Sequence, residues 1–437
     1  MHIVEILLVE APHKPGYMAK VLGVVGNFGA TVEGLNAVRR LDKETIWEVT
    51  LEYDDSLNIN ELFDEINLLP DTSITGKSDR VFNRHKNGKI KTVSSINIDS
   101  LEILRDVYTP GVARVCQAIQ ESPKKIKDFT NLQNTVAIVT NGTAILGLGD
   151  IGPEAGLPVM EGKAAILAEL VGLSGVPILL KEKDPLKIIE VVEAISSSFG
   201  AILLEDIKAP ECFTIEEELI DRVNKPVFHD DQHGTAMVVL AALLSATKQQ
   251  NINLKDRVFG QIGLGAAGMG ICNLLLEYGV KDVVGCDLDQ EAQKKLRGLG
   301  GNPMSLQEVM ATADVVVATT GVKGLIKPDM VREGQIIMAL SNPDPEIEPN
   351  VAIEHGASFA TCGKVVNNML AFPGLFKGTL AADVSKITHS MKIAVSETLS
   401  QLAKDGALVP AALNKEVHDR VAEAVYQAAI KQKNEFL

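Results

Sequence analysis

The chain has 437 residues and a formal net charge of −15, with 46% hydrophobic and 23% charged residues. This length allows two or three domains with sizeable cores. The acidic balance argues against nucleic acid or an anionic membrane surface as partner, because lysine and arginine are not in excess for binding phosphates. No apolar stretch approaches the roughly 18 residues that cross a bilayer, and the N-terminus is too short and acidic for a signal peptide.

The first predicted domain covers residues 1–80 and alternates strands and helices in the order βαββαβ, which is the ferredoxin-like arrangement. Strands are predicted in IVEILLVE, TVEGLNAVRR, TIWEVTLEYD and DTSITGKS, helices in YMAKVLGVVGNFG and NINELFDEINLLP, and a turn at residues 41–44. The Pro15-Gly16 turn and the Asn-Phe-Gly helix end resemble ACT domains, which bind amino acids or pair with each other. A structural or dimerisation module without a ligand is the alternative.

The rest of the chain is predicted to be α/β. Residues 81–98 are polar and indicate a linker, and we predict a substrate and metal domain over 81–235. A second, doubly wound domain is predicted over 236–437, with C-terminal helices returning to the core. Its predicted strands lie in RVFGQIGLGAAG, KDVVGCDLD, ADVVVATTG and GQIIMALSN.

The cysteines indicate the compartment. They are odd in number, form no CxxC pair and lie mostly in apolar or periodic segments: Cys116, Cys212, Cys272, Cys286 and Cys362. We therefore expect buried free thiols in a reducing cytoplasm.

A dinucleotide fingerprint follows a predicted strand and opens a predicted helix. It comprises Gly263, Leu264, Gly265, Ala266, Ala267 and Gly268. In this context the first glycine permits a tight turn, the second a close approach of pyrophosphate, and the third close helix packing. The next strand ends in Asp287, which would bind the adenine ribose and repel a 2′-phosphate. The sequence thus favours NAD over NADP, although Lys294, Lys295 and Arg297 could accommodate the phosphate.

Two pairs of acidic residues each follow a short apolar segment. Glu205 and Asp206 end AILLED, and Asp230 and Asp231 end PVFHDD. Because ligands gather at the carboxyl ends of parallel strands, we predict that Glu205, Asp206 and Asp231 bind Mg²⁺ or Mn²⁺. For the aspartate pair, helix capping is the alternative.

Histidines flank the second pair. Nitrogen ligation by His229 and His233 would indicate zinc, but histidines so placed are more often neighbours of the ligands or core groups.

Two further residues are candidates for acid–base chemistry. Tyr108 precedes the turn TPGV, which opens a helix, and would lie at a pocket rim. Lys163 is predicted to start a helix, where the dipole would lower its pKa towards that of a general base.

The segments YTPGVARVCQAI, VTNGTAILGLGDIGPEAGLPVMEGKA, LEDIKAPECF, PVFHDDQHGTA, GLGAAG, ALSNPDPEI and VVNNMLAFPG together resemble the malic enzymes, specifically the smaller bacterial branch. The resemblance covers about residues 99–437. It implies that Tyr108 is the general acid, Lys163 the general base, and Glu205, Asp206 and Asp231 the metal ligands. It further implies that Asn342 and Asn368 bind substrate near the nicotinamide, and that Asp230 is the lysine's partner.

The chain departs from the larger eukaryotic branch at one position. An arginine that pairs with the substrate carboxylate there corresponds here to Ala144. The asparagines, the metal or another subunit would then hold that carboxylate.

The resemblance implies oxidative decarboxylation of malate to pyruvate with NAD, in a homodimer or larger homo-oligomer in the cytoplasm. Malolactic-type chemistry, in which lactate is released, is one alternative. A regulatory protein with an inactive dehydrogenase fold is another. An amino-acid effector would act through the N-terminal domain.

Overall fold

The structure is a computed structural model that describes residues 2–41, 43–54, 56–145, 147–404 and 406–435. It divides into two compact units, Met1–Lys91 and Thr92–Leu437. None of the helices within the described ranges is long and apolar enough to cross a membrane.

The first unit is a four-stranded antiparallel sheet with helices. Its strands are β1 His2–Pro12, β2 Thr31–Arg40, β3 Glu44–Asp54 and β4 Ser73–Asp79, and its helices are α1 Tyr17–Asn27, α2 Ile59–Asn67 and α3 Arg80–His85. The strand order is β2-β3-β1-β4. The predicted βαββαβ order is therefore observed, with α3 added. Residue 42 of the predicted turn lies outside the described residues.

Alternation along β1 builds the core of this unit. Leu7 and Val9 point inward and are fully buried. They pack in one cluster with Val21 and Val25 of α1, which lie four residues apart on one helix face. Burial of each such side chain stabilises the fold by about 1.5–3 kcal/mol.

The predicted linker begins with a helix. Helix α3 occupies Arg80–His85 and contacts β1 and β4, and the first unit extends to Lys91. A polar composition cannot distinguish a solvent-exposed helix from a linker, which explains the difference.

The second unit contains two sheets, and the first is a parallel sheet of order β6-β5-β7-β8. Its strands are β5 Thr135–Thr140, β6 Ser174–Leu179, β7 Ala201–Leu204 and β8 Val227–His229. The helices of this region are α4 Leu101–Val107, α5 Val112–Glu121, α6 Ile126–Phe129, α7 Pro153–Val171, α8 Pro185–Ile195, α9 Glu211–Arg222 and α10 Thr235–Gln249.

A six-stranded parallel sheet follows, with the order β11-β10-β9-β12-β13-β14. Its strands are β9 Val258–Ile262, β10 Asp282–Cys286, β11 Asn302–Pro303, β12 Val315–Ala318, β13 Ile336–Ala339 and β14 Phe359–Cys362, and its helices are α11 Ala266–Tyr278, α12 Gln290–Gly298, α13 Leu306–Thr312 and α14 Pro349–Glu354. The order reverses between β9 and β12, which is where a doubly wound sheet binds its ligand. The predicted Rossmann-type sheet is confirmed, and β11 and β14 extend it beyond the four predicted strands.

Three helices end the chain: α15 Phe372–Ala382, α16 His389–Leu402 and α17 Lys415–Glu435. They pack on one another and on α10 and α7. Buried Phe372, Phe376 and Val395 share one core cluster with Leu240 of α10. The long apolar helix α10 is buried because these helices cover it.

Within the described ranges all five cysteines are free thiols. The expectation of burial holds for Cys212, Cys272 and Cys286, whereas Cys362 is half-buried and Cys116 is exposed. Cys116 was placed wrongly because α5, which carries it, has a periodic pattern but no buried residue.

Candidate active site

Strands β7 and β8 are neighbours, and each delivers acidic residues where it ends. Leu204 pairs with His229 in the register, so Glu205 and Asp230 leave the sheet side by side. Ligand oxygens of Glu205, Asp206 and Asp231 lie within 4.8 Å of one another. The structure therefore brings together the three predicted metal ligands.

The backbone at Asp206 is fixed from two sides. Its N–H donates to Asp231 Oδ2 at 3.2 Å, and its carbonyl accepts the Ala144 N–H at 3.0 Å. Its φ of 53° lies in the left-handed region, which aspartate tolerates better than most residues. Ala144 thus contributes its backbone to holding Asp206.

The acidic cluster carries charge that no described protein group compensates fully. Glu205 and Asp206 are 3% and 4% exposed, and Glu205 Oε2 and Asp206 Oδ2 have no hydrogen-bond partner among the described residues. Burial, together with the Asp231 charge, raises the pKa of Asp206 to about 7. Burial and neighbouring carboxylates also raise the pKa of Glu205. Unpartnered buried carboxylate oxygens converging on one point fit a hard divalent cation.

Lys163 contacts this cluster from the middle of α7. Its Nζ hydrogen-bonds Asp230 Oδ2, lies 3.0 Å from Glu205 Oε1 and sits 4.5 Å from the centre of the Phe372 ring. The prediction that Lys163 starts a helix was wrong, because α7 begins at Pro153 and continues through Pro158. A proline usually ends a helix, and the sequence pattern therefore placed the start too late.

The neighbouring carboxylates also reverse the predicted lowering of the pKa of Lys163. Burial alone would lower the pKa of Lys163, but the charges of Asp230 and Glu205 outweigh it and raise the pKa well above its ordinary value. Neutralisation of the carboxylates would remove this effect.

Asp230 is fully buried between Lys163 and Asn368. The Asn368 Nδ2 donates to Asp230 Oδ2 at 3.3 Å, and its Oδ1 accepts from Thr235 Oγ1 at 3.2 Å. Asn368 was predicted to bind substrate, and here it also fixes the carboxylate that orients Lys163.

The aspartate pair lies in a short π-helix, Asp230–Gly234, that runs into α10. The capping alternative is not observed, because Gly234 is the N-cap residue of α10 and Asp231 bonds the Asp206 backbone instead. A Cβ at Gly234 would lie 2.1 Å from Asp230 Oδ1, so only glycine fits. Single π turns of this kind are frequent at functional sites.

Glu216 of α9 is a buried member of the site that the sequence reasoning missed. Its carboxylate accepts the His229 N–H and the side chains of Gln232 and His233. The sequence feature that could have identified it is a glutamate next to Ile215 on the apolar face of a helix. Since His233 bonds Glu216, it is not a ligand of the acidic cluster, whereas His229 Nε2 lies 3.6 Å from Asp231 Oδ2.

Tyr108 lies at the end of α4 and is 69% exposed. The cluster around Lys163 is buried. Within a single chain the structure does not place the two predicted acid–base residues in one enclosed pocket.

The dinucleotide fingerprint forms a tight turn from β9 into α11, and its glycines have different roles. Gly263 has φ of 89°, and a Cβ at Gly268 would lie 1.9 Å from the Gly263 carbonyl oxygen. At Gly265 a Cβ would meet no atom within 4 Å. Leu264 is buried, whereas Ala266 and Ala267 begin α11. The turn thus leaves open space at the helix N-terminus, where phosphates bind.

Asp287 borders a cavity of about 950 Å³ beside this turn. Its carboxylate accepts the Leu264 N–H at 2.6 Å and the Asp289 N–H at 2.9 Å. Lys294 pairs with Glu291, and Lys295 lies 3.4 Å from the centre of the Phe213 ring. Two of the three cations that could accept a 2′-phosphate are therefore engaged elsewhere.

Asn342 follows β13 and is exposed. Its loop is anchored by the fully buried Glu346, which accepts from Ser341 Oγ at 2.5 Å and from the Thr320 N–H at 2.7 Å. A Cβ at Gly363 would lie 2.6 Å from Asn342 Nδ2, so the amide packs against that glycine.

Comparison with known proteins places this geometry in a family. Residues 85–220 match the family described as "Malic enzyme, N-terminal domain", and residues 232–299 match "Malic enzyme, NAD binding domain". The chain is 46% identical over 431 residues to NAD-dependent malic enzyme 1 of Bacillus subtilis, covering 98% of each chain. It is 37% identical to the NAD-dependent malic enzyme of Geobacillus stearothermophilus, covering 94% of this chain and 91% of the relative.

A solved structure is similar too. The malic enzyme from Pyrococcus horikoshii superimposes with a TM-score of 0.77 at 38% identity, covering 81% of this chain and 90% of that one.

Proposed function

This chain belongs to the malic enzyme family, and from that premise we propose how its residues serve the reaction. It catalyses the oxidative decarboxylation of malate to pyruvate and carbon dioxide with reduction of NAD. The observation that carries the residue assignment is the convergence of Glu205, Asp206 and Asp231 on one point beside Lys163.

The three carboxylates are the proposed ligands of Mg²⁺ or Mn²⁺. The unpartnered buried oxygens of Glu205 and Asp206 are groups that a hard cation would take up, and an oxygen of Asp231 lies within 4.8 Å of the ligand oxygens of both. Bound there, the cation would supply Lewis-acid polarisation of the substrate oxygens and stabilise charge that develops on them.

Lys163 is the proposed general base. Asp230 and Glu205 hold its Nζ at the edge of the carboxylate cluster, where a substrate hydroxyl would lie. Asn368 fixes Asp230, and Asp230 in turn restricts Nζ to one position. Nζ can accept the hydroxyl proton only as the neutral amine, so a bound cation would have to offset the carboxylate charge that raises the pKa of Lys163.

Tyr108 is the proposed general acid. The residue is 69% exposed, so in a single chain water would compete for its proton. Exposed apolar residues precede it in sequence, including Ile98, Leu101 and Leu104. We infer that a homodimer or larger homo-oligomer covers this segment and shields Tyr108.

The turn at Gly263–Gly268 and Asp287 are the proposed NAD site, with Asn342 near the nicotinamide. The carboxylate of Asp287 would accept hydrogen bonds from the ribose and repel a 2′-phosphate. The engagement of Lys294 and Lys295 elsewhere supports NAD over NADP.

The N-terminal unit is the proposed ACT-like domain, and an amino-acid effector is its proposed ligand. The strand order β2-β3-β1-β4 and the left-handed Gly16 before α1 support this assignment. The division into residues 1–80, 81–235 and 236–437 and a cytoplasmic location complete the proposal. Light scattering and malate kinetics with a panel of amino acids test it, on the full chain and on a chain lacking residues 1–80.

The function is tested by incubating the full chain with malate, NAD and Mn²⁺, and by following NADH absorbance and pyruvate together. Equal formation of NADH and pyruvate, abolished by EDTA, supports the proposal. Lactate without net NADH would indicate malolactic chemistry. No turnover of malate under any of these conditions would leave the regulatory alternative.

A further inference from the structure

We propose that Glu216 is a positioning residue that holds the turn carrying Asp230 and Asp231 in the geometry needed to bind the divalent cation. The inference rests on the proposed metal site and extends it to a residue outside the ligand set. Glu216 lies on α9, and its contacts are with the residues that immediately flank the two aspartates.

Three donors of one short segment converge on this carboxylate. The His229 N–H donates to Glu216 Oε1 at 2.8 Å. The Gln232 side-chain amide and the His233 ring approach Oε2 at 2.8 and 2.9 Å. These donors lie directly before and directly after Asp230-Asp231, so the Glu216 carboxylate hydrogen-bonds the turn at both ends.

The turn needs an external support because its own elements are short. Strand β8 has three residues and lies at the edge of its sheet, so within the described part of the chain no further strand pairs with its outer side. The π-helix that follows has five residues. Glu216 supplies an acceptor to His229 where a neighbouring strand would otherwise supply one.

Glu216 is itself held rigidly. It is 5% exposed and lies beside Cys212, Ile215 and Leu219, all buried on the same face of α9. All three groups that reach it can act as donors, so an acceptor-only carboxylate satisfies them and an amide cannot satisfy all of them. The buried Lys392, 7% exposed, provides opposite charge to Glu216.

A substitution at Glu216 is therefore expected to weaken cation binding more than it destabilises the rest of the fold. Partners that orient metal ligands typically contribute about 10- to 100-fold to metal affinity. A purely structural residue would instead lower thermal stability and weaken Mn²⁺ and NADH binding together.

The experiment is a titration of the full chain with Mn²⁺, following free Mn²⁺ by electron paramagnetic resonance, alongside NADH binding by fluorescence. We expect Glu216→Gln to weaken Mn²⁺ binding about 10-fold or more while NADH affinity is retained. Glu217→Gln is the matched control, because it removes the same charge from an exposed position on the same helix. It should leave both affinities unchanged.

The outcomes separate the inference from the proposed metal site. Equal Mn²⁺ affinity in the unaltered chain and Glu216→Gln would overturn the role of Glu216 alone. Failure of the unaltered chain to bind Mn²⁺ would overturn the metal site and this inference with it. If Glu216→Gln does not fold, Gln232→Met removes one of the three donors and decides the question: weaker Mn²⁺ binding supports the inference, and unchanged binding contradicts it.

Discussion

Gly270 on α11 approaches Gln232 so closely that a Cβ at Gly270 would lie 2.2 Å from the Gln232 carbonyl oxygen. The helix that follows the dinucleotide turn thus packs directly against the backbone of the turn that carries Asp230 and Asp231. A methyl group there can be accommodated only if one of these two segments moves, since interiors are close-packed.

We therefore predict that Gly270→Ala weakens Mn²⁺ binding and lowers the free energy of unfolding by about 1–3 kcal/mol. Gly298→Ala, at a helical position where a Cβ would meet no atom within 4 Å, is the matched control and should be neutral or slightly stabilising. Calorimetric unfolding and a Mn²⁺ titration measure both effects. Unaltered Mn²⁺ affinity in Gly270→Ala would contradict this prediction, because it would show that the turn carrying Asp230 and Asp231 tolerates a shift of α11.

The acidic cluster predicts a pH dependence of stability in the metal-free protein. Burial and the Asp231 charge raise the pKa of Asp206 to about 7, above its ordinary value. An acid whose pKa is higher in the folded state than in the unfolded state contributes stability at low pH, and this stability is lost as the pH rises through the folded pKa. In EDTA, the stability of Asp206→Asn relative to the unaltered chain should accordingly increase between about pH 4 and pH 7.

Thermal unfolding of the two proteins across this pH range, with and without Mn²⁺, measures the effect. Saturating Mn²⁺ should reverse the order, because the cation binds only the folded unaltered chain tightly. A constant difference between the two proteins at all pH values in EDTA would contradict the raised pKa.

Lys163→Met is predicted to reduce kcat by about 10²- to 10⁴-fold, the usual contribution of a general base. Methionine keeps much of the volume of the lysine stem, so NADH binding should persist. Lys181→Met is the control, since Lys181 is exposed and pairs only with the exposed Glu154 among described side chains. Steady-state malate kinetics at saturating Mn²⁺ provide the measurement, and an unchanged kcat would remove Lys163 from the mechanism.

Asp287→Ser is predicted to lower the ratio of kcat/KM for NAD to that for NADP, because it removes the charge that repels a 2′-phosphate. Asp289→Ser serves as control: Asp289 caps α12 through the Glu291 N–H, and serine can also cap a helix. The ratio should not change in the control. A wild-type chain that prefers NADP would contradict the assignment and direct attention to Arg297.

The sequence predicts the parts of the site that follow from local patterns. An apolar run that ends in Glu205-Asp206, and another that ends in Asp230-Asp231, define strand ends without knowledge of the fold. The spacing of the glycines from Gly263 to Gly268 indicates a tight turn followed by a helix, whatever the rest of the chain contains. Parallel pairing then brings the acidic residues together, because adjacent strands end at the same sheet edge.

Other parts of the site depend on contacts between distant segments. The three donors to Glu216 come from residues 13 to 17 positions away, and no periodic pattern distinguishes this glutamate from a misplaced surface residue. The Lys163 pKa depends on carboxylates of two other strand ends, which outweigh any helix-terminus effect. Tyr108 is exposed at the end of α4, and the local sequence pattern that placed it at a pocket rim does not specify which segments enclose it.

Glu205, Asp206 and Asp231 are the proposed ligands of the divalent cation, and Asp230 is the proposed partner of Lys163. Crystals soaked in Mn²⁺ and measured by anomalous diffraction at the manganese edge test this assignment most directly. We expect one strong peak bonded to oxygens of Glu205, Asp206 and Asp231, with Asp230 still paired to Lys163. A peak ligated by Asp230 or His229 in place of Asp231, or no peak at the cluster, would contradict it.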